Sequence, residues 1–291
     1  MGQIAVVRWF VKCGLTAAML LAACGFATAW FGHGLQLPST TTRDGSLITF
    51  NRYVEEPVPD VVLVGSSITF RLKEEYFATP RLRNLAIAGG SSVTGLEIVA
   101  NQPHLPKVVL VETNILSRPT DTALVERYSN DGNNKPLFFR PIRAAVAAYE
   151  NWNHAPLSYA QASFALRQLL AQPPSDFDNH IYVDRALQEM NTNDPTIATR
   201  MNAKRISELI SAMERRGARV ILFQLPYSEK LEESASARIT REIAHAEFPN
   251  PDQWLRLDFT RDELRWADGA HLDARSAVIL AQSIDETLGP R

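Results

Sequence analysis

Three short runs of valine, isoleucine, leucine and phenylalanine constrain the fold of this chain most. They are Val61-Val62-Leu63-Val64, Val108-Val109-Leu110-Val111 and Val220-Ile221-Leu222-Phe223. None alternates apolar with polar residues. A strand that is apolar at every position has to be buried on both faces, as a central parallel strand is when helices cover it from either side. Each run is entered from a turn or helix-stop signal: Pro59-Asp60, Pro106-Lys107 and Arg216-Gly217. Leu85-Ala86-Ile87, behind Arg81-Leu82-Arg83, is a shorter run of the same kind, and Leu255 to Phe259 reads as a fifth strand.

Helical patterns lie between these runs. Ser91 to Gln102 opens with serines and carries Glu97. Thr196 to Arg216 places Ile197, Met201, Ile206, Leu209, Ile210 and Met213 near a 3.6-residue period. Lys230 to Glu247 is charged and amphipathic, and Ala274 to Leu288 gathers Val278, Ile279, Leu280, Ile284 and Leu288 on one face. Strands alternating with helices predict an α/β fold with right-handed crossovers, three layers (α/β/α) around a parallel five-stranded sheet. Residues 119–193 break the rhythm and read as an insertion after the third strand, packed beside the functional face. It carries a helix near Ser158 to Ala171, stopped by Pro173-Pro174.

The N-terminus is of another kind. From Cys13 to Gly32 no residue is charged, and Arg8 and Lys12 sit just before. Twenty apolar residues at about 1.5 Å rise can cross a bilayer core of about 30 Å. Basic residues on the amino side predict that this end stays in the cytoplasm. The rest of the chain would then face outward, into the periplasm of a Gram-negative cell. An uncleaved signal anchor, a signal peptide cleaved after Ala27-Thr28-Ala29, and a lipoprotein processed before Cys24 are three readings of the segment. The organisation expected is therefore a membrane segment over 1–35, a linker over 36–58, and one α/β domain over 59–291.

Composition excludes some classes. A net charge of −2 argues against a broad nucleic-acid footprint. Both cysteines, Cys13 and Cys24, fall in the N-terminal segment, so the α/β domain has no disulfide, cysteine nucleophile or cysteine-based metal site. No histidine pair has metal-ligand spacing, and no glycine-rich phosphate loop follows the first strand. Neither a metal nor another cofactor is expected.

Four short motifs carry the chemistry. Val64 to Thr69 (Val-Gly-Ser-Ser-Ile-Thr) places Ser67 just after the first strand, where a helix is expected to begin near Ile68. Asn84 to Gly89 ends on a glycine whose backbone N–H can approach a substrate oxygen without a Cβ in the way. Glu112-Thr113-Asn114 brings a side-chain amide to the end of the third strand. Asp268 to Asp273 (Asp-Gly-Ala-His-Leu-Asp) spaces Asp268 and His271 so that the carboxylate accepts from Nδ1 and leaves Nε2 for a serine. Taken singly, these could be a helix cap, a β-to-α turn, a loop asparagine and a surface turn. Taken together, they supply a nucleophile, a base, its orienting carboxylate and oxyanion donors. Most of them follow strands, at whose carboxyl ends open α/β sheets bind ligands.

This set resembles the SGNH (GDSL-type) hydrolase superfamily, from about Asp60 to the C-terminus. The resemblance implies Ser67 as nucleophile, Asp268 and His271 as its partners, and an oxyanion hole of the Ser67 and Gly89 amides with the Asn114 side chain. Two blocks depart from the family's pattern. Gly-Asp-Ser has become Gly65-Ser66-Ser67, and Gly-x-Asn-Asp has become Glu112-Thr113-Asn114-Ile115. Glu112, so close to the site, reads either as a substrate contact or as a strand-end residue.

The function expected is a serine-dependent esterase or O-acyltransferase, acting through an acyl-serine on acetyl esters of envelope or extracellular polysaccharide. Its expected partners are an acylated carbohydrate or other ester, the inner membrane, and a membrane acyltransferase. Tyr149, Trp152, Phe138 and Phe139 could stack on sugar rings or serve in packing. A non-catalytic glycan- or partner-binding protein and a membrane-proximal lipase or lysophospholipase are the alternatives.

Overall fold

The computed structural model describes residues 2–31, 42–129, 149 and 158–289. The chain divides into two compact units, residues 1–56 with 136–157, and residues 57–135 with 158–291. In the first, helix α1 (Gly2–Phe31) contains a stretch, Val6–Phe26, with mean hydropathy 1.6 and no buried residues. It is long and apolar enough to cross a membrane. Helix α2 (Thr42–Glu55) lies inside the segment expected to be a linker, with Leu47, Phe50 and Tyr53 buried.

The second unit is the α/β body. Strands β1 (Val61–Val64), β2 (Leu82–Asn84), β3 (Val108–Glu112) and β4 (Arg219–Phe223) form a parallel sheet in the order β2-β1-β3-β4. Helix α3 (Ser92–Ala100) links β2 to β3. Helices α4 (Thr122–Tyr128), α5 (Tyr159–Leu170), α6 (His180–Thr192) and α7 (Thr196–Arg215) lie between β3 and β4. Helices α8 (Glu229–Glu232), α9 (Ala235–Glu247) and α10 (Ala274–Leu288) follow β4.

Strand side chains alternate between the two faces. Val61, Leu63, Val108, Leu110, Ile221 and Phe223 share a core with Ala277, Val278, Leu280, Ala281 and Ile284 of α10. On the opposite face α3 packs on β1 and β3, and α7 on β4. Both faces are thus covered, as the all-apolar strands require.

Several boundaries differ from the sequence expectation. The second strand is assigned at Leu82–Asn84, although the parallel pairing runs on through Leu85 N–H to the Leu63 carbonyl (2.8 Å) and Ile87 N–H to the Gly65 carbonyl (2.9 Å). The expected fifth strand, Leu255 to Phe259, is not a strand. Pairing with β4 is limited to one bridge between Leu222 and Trp254, with Leu255 N–H on the Leu222 carbonyl (2.8 Å). The reason lies in α10. Ser283 Oγ takes the Asp258 N–H (2.7 Å), and Thr287 Oγ1 donates to the Arg256 carbonyl (2.8 Å), so backbone groups that would extend the sheet are bound to the helix. The helix expected over Lys230–Glu247 is two helices, because Ser234 caps α9 by accepting from Ala237 N–H (3.3 Å).

The inserted helices hold the segment that carries Asp268 and His271. The Asn179 side chain, at the start of α6, donates to the Trp266 carbonyl (2.5 Å), and Arg275 Nε donates to the Leu170 carbonyl at the end of α5 (3.4 Å). Helix α5 starts with the capping box of Ser158 and Gln161.

Candidate active site at the carboxyl edge of the sheet

The strand order turns back on itself between β1 and β3. Ligands in open α/β sheets bind in the crevice outside such a switch point. Ser67 follows β1, Gly89 follows β2 and Asn114 follows β3, so the first three motifs are brought to this edge.

The loop after β1 is held from both neighbouring strands. From β3, the fully buried Glu112 carboxylate accepts Ser66 N–H (2.7 Å), Ser66 Oγ–H (2.8 Å) and Thr69 Oγ1–H (2.8 Å). From β2, the Asn84 amide donates to the carbonyls of Thr69 (2.8 Å) and Leu72 (2.7 Å). Gly65 admits no side chain: a Cβ there would lie 2.6 Å from Thr69 and 2.7 Å from the Glu112 carboxylate. Ser67 is the half-buried residue of this clamped turn. Its N–H and hydroxyl have no hydrogen-bond partner among the described residues. No α-helix begins near Ile68. A single 3-10 turn, Thr69–Arg71, occupies the place, and the Asn84 amide takes the carbonyls of Thr69 and Leu72 that would accept in a continuing helix. So short a turn contributes little helix dipole at Ser67.

Gly89 adopts φ +78°, a conformation glycine accepts without strain. It is exposed, and its N–H is likewise unpaired among the described residues. Asn114 is buried, and its side chain is partly committed. Oδ1 accepts Leu225 N–H (2.8 Å) and Nδ2 donates to the Leu225 carbonyl (2.7 Å). An asparagine amide has two N–H donors, and the second, beside the Tyr227 phenol, is the one a substrate oxygen could take.

The fourth motif reaches the same edge through the loop after β4. Ser228 N–H donates to the Gly269 carbonyl (2.8 Å), Trp266 Nε1–H to the Pro226 carbonyl (2.9 Å), and the Tyr227 hydroxyl to the Asn114 carbonyl (3.4 Å). Burial pushes the Tyr227 phenol up, and the Glu112 and Glu232 carboxylates add to the push, so it stays a neutral donor. Within the motif, Asp268 Oδ1 accepts His271 N–H (2.8 Å) and Ala270 N–H (3.1 Å), while Oδ2 meets His271 Nδ1 at 2.6 Å. A carboxylate on Nδ1 fixes the proton there and leaves Nε2 able to accept. Ser67 and His271 are not hydrogen-bonded to each other. Their segments converge one turn further along, where Phe70, Arg71 and Tyr76 line a cavity with Leu272 and Asp273.

Burial by itself would raise the Asp268 carboxyl. The bonds from the His271 ring, the His271 amide and the Ala270 amide outweigh it and hold the group at about 2, below the ordinary 3.8. A depressed carboxyl favours the folded state above its unfolded pKa, and that contribution is lost as pH falls through the folded value. The gap in thermal unfolding midpoint between wild type and Asp268→Asn should therefore narrow as pH falls from about 4 to about 2. An equal gap at pH 2.5 and pH 5 would show that the folded protein does not hold this carboxylate down.

Among the described residues no group of three or more histidine, cysteine, aspartate or glutamate side chains could hold a metal ion. Phe138, Phe139 and Trp152 lie outside the described residues, and Tyr149 is exposed. The sequence reading missed the clamp of Glu112 and Asn84, and the tie between Asn114 and Leu225. The available signal for the first was an acidic residue closing an otherwise apolar strand.

No family model matches the chain, and no curated protein matches it. What the site can do rests on its own residues and their placement.

Proposed function

We propose that the α/β body is a serine-dependent acyl-transfer enzyme of SGNH type, an esterase or O-acyltransferase. Ser67 Oγ attacks an ester carbonyl while His271 Nε2 takes its proton, and Asp268 stabilises the imidazolium that forms. The negative charge on the carbonyl oxygen is met by the Ser67 and Gly89 amides and the remaining Asn114 N–H. His271 then gives its proton to the departing alkoxide. The acyl-serine is resolved by water, giving hydrolysis, or by a sugar hydroxyl, giving transfer.

The observation that carries this reading is the 2.6 Å Asp268–His271 pair, whose carboxylate is also anchored by two backbone amides. The unpaired Ser67 amide and hydroxyl at the strand-order switch support it. Missing contact between nucleophile and base is ordinary before substrate binds, since such bonds tighten in the Michaelis complex. The apolar α1 with Arg8 and Lys12 near its start supports a signal anchor that keeps the N-terminus cytoplasmic and the enzyme periplasmic. In that position the substrates within reach are acetyl esters of envelope polysaccharide, with a membrane acyltransferase as a natural donor partner. A cleft of about 570 Å³ beside the histidine loop, lined by Phe177, Asn179, Lys230, Arg265 and Trp266, has the mixed aromatic and polar walls that suit a sugar.

The test is to trap the intermediate. Full-length protein in detergent is mixed with p-nitrophenyl acetate and quenched in acid. The peptide containing Ser67 should carry an acetyl group, and the corresponding peptide of Ser67→Ala should not. Acetylation elsewhere only, or none, would reject the mechanism and leave a binding role for the cleft.

A further inference from the structure

Arg118 belongs to the loop after β3 and is half-buried. Its guanidinium makes one hydrogen bond, from Nη1 to the Gly90 carbonyl (3.3 Å), and pairs with no carboxylate among the described residues. A guanidinium carries five N–H donors, so four remain. The position is built from behind: the Asn202 amide on α7 donates to the carbonyls of Leu116 (2.6 Å) and Arg118 itself (2.8 Å). Gly90 follows Gly89 directly. The Arg118 charge opposes the upward push on the Tyr227 phenol, and Tyr227 is bonded to the Asn114 carbonyl. Arg118 is thus bonded to the glycine turn after β2 and shares the loop after β3 with Asn114, the two segments that carry the outer donors of the candidate oxyanion site.

A partly desolvated cation without a counter-charge is unfavourable, and an anion that arrives with the ligand relieves it. The planar fork of arginine fits the two oxygens of a carboxylate or phosphate. We propose that Arg118 binds an anionic group carried by the substrate next to its ester, a carboxylate or a phosphate, so that the site takes acyl esters of acidic rather than neutral carbohydrate. This rests on the reading of Ser67 as an acyl-transfer nucleophile. Arg118 is a binding residue in it, and no proton or acyl group passes through it.

The experiment measures acetate release by full-length protein in detergent. The substrates are mono-O-acetylated methyl glucuronoside, methyl glucoside and glucose 6-phosphate. Wild type should favour an anionic ester over the neutral one in kcat/KM by about tenfold or more, the size of a charge-assisted hydrogen bond. Arg118→Gln should collapse that ratio, chiefly through KM, and Arg118→Lys should retain part of it. Whichever anionic ester is faster identifies carboxylate or phosphate as the group recognised. A ratio unchanged in Arg118→Gln, or a wild type indifferent to charge, would overturn the proposal. If no ester is turned over in a Ser67-dependent way, the acyl-transfer reading fails instead. Binding of methyl glucuronoside and of inorganic phosphate to wild type and Arg118→Gln, followed by calorimetry, then decides the anion site alone. Binding lost with Arg118 upholds it, and binding absent or independent of Arg118 ends it.

Discussion

Ser67→Ala and His271→Ala should each lower ester turnover by about 10⁴-fold or more, and the double variant should be no slower than either alone. The non-additivity is the sharper part. Residues that act as one unit lose the same thing when any member is removed, so single and multiple deletions converge on the residual catalysis left by oxyanion donors and binding. Residues that merely line a cleft would show additive losses of a few-fold each. Asp268→Asn should cost about 10³ to 10⁴-fold. The substituted amide oxygen still accepts from the N–H groups of Ala270 and His271, but the imidazole is no longer held with its proton on Nδ1. Asn114→Ala should cost about 10² to 10³-fold as a lost oxyanion donor. It should also lower the unfolding midpoint, since the same side chain joins the ends of β3 and β4 through Leu225. Steady-state rates with p-nitrophenyl acetate, read beside thermal unfolding, separate these effects. Losses that add across Ser67 and His271 would show that the two do not work as a unit.

The parts legible in the sequence are those fixed by short-range pattern. The three all-apolar runs became β1, β3 and β4 because their burial depends on their own composition. The long helix over Thr196–Arg215 followed from its period, although only Ile206, Leu209, Ile210 and Met213 of the expected apolar face are buried while Ile197 and Met201 are exposed, and the Asp268–His271 pair followed from a three-residue spacing that a tight loop closes by itself. What escaped depends on partners distant in sequence. Leu255 to Phe259 has a strand's composition, but Ser283 and Thr287 of α10 decide where its backbone bonds go. The residues after Ser67 predict a helix start, yet the carbonyls of Thr69 and Leu72 go to Asn84 and the turn itself is held by Glu112, both neighbours only once the sheet order is known. Nothing in the sequence links the two departures from the SGNH pattern, serine at 66 and glutamate at 112. In the structure they are one contact, a buried carboxylate accepting from the residue before Ser67.

That contact predicts the largest stability effect in the body of the domain. Glu112→Ala should destabilise the protein by about 2–4 kcal/mol, because it strands Ser66 N–H, Ser66 Oγ–H and Thr69 Oγ1–H in a site with no solvent access. Each buried donor without an acceptor costs about 1–3 kcal/mol, and the sum is reduced because two are hydroxyls that can turn toward one another. Glu112→Gln should cost about 1 kcal/mol. Its carbonyl oxygen can still accept Ser66 N–H, and its N–H₂ can donate to hydroxyl oxygens that reverse their role. Urea unfolding monitored at equal m-values gives both numbers. If alanine and glutamine cost the same, the clamp is not a hydrogen-bond acceptor and the site is held by packing alone. The glutamine variant also separates fold from reactivity. With the fold kept, a slower reaction of Ser67 with an active-site fluorophosphonate would mean that the buried carboxylate aims the nucleophile as well as closing its turn. An unchanged rate would confine Glu112 to holding β1 and β3 together beneath it.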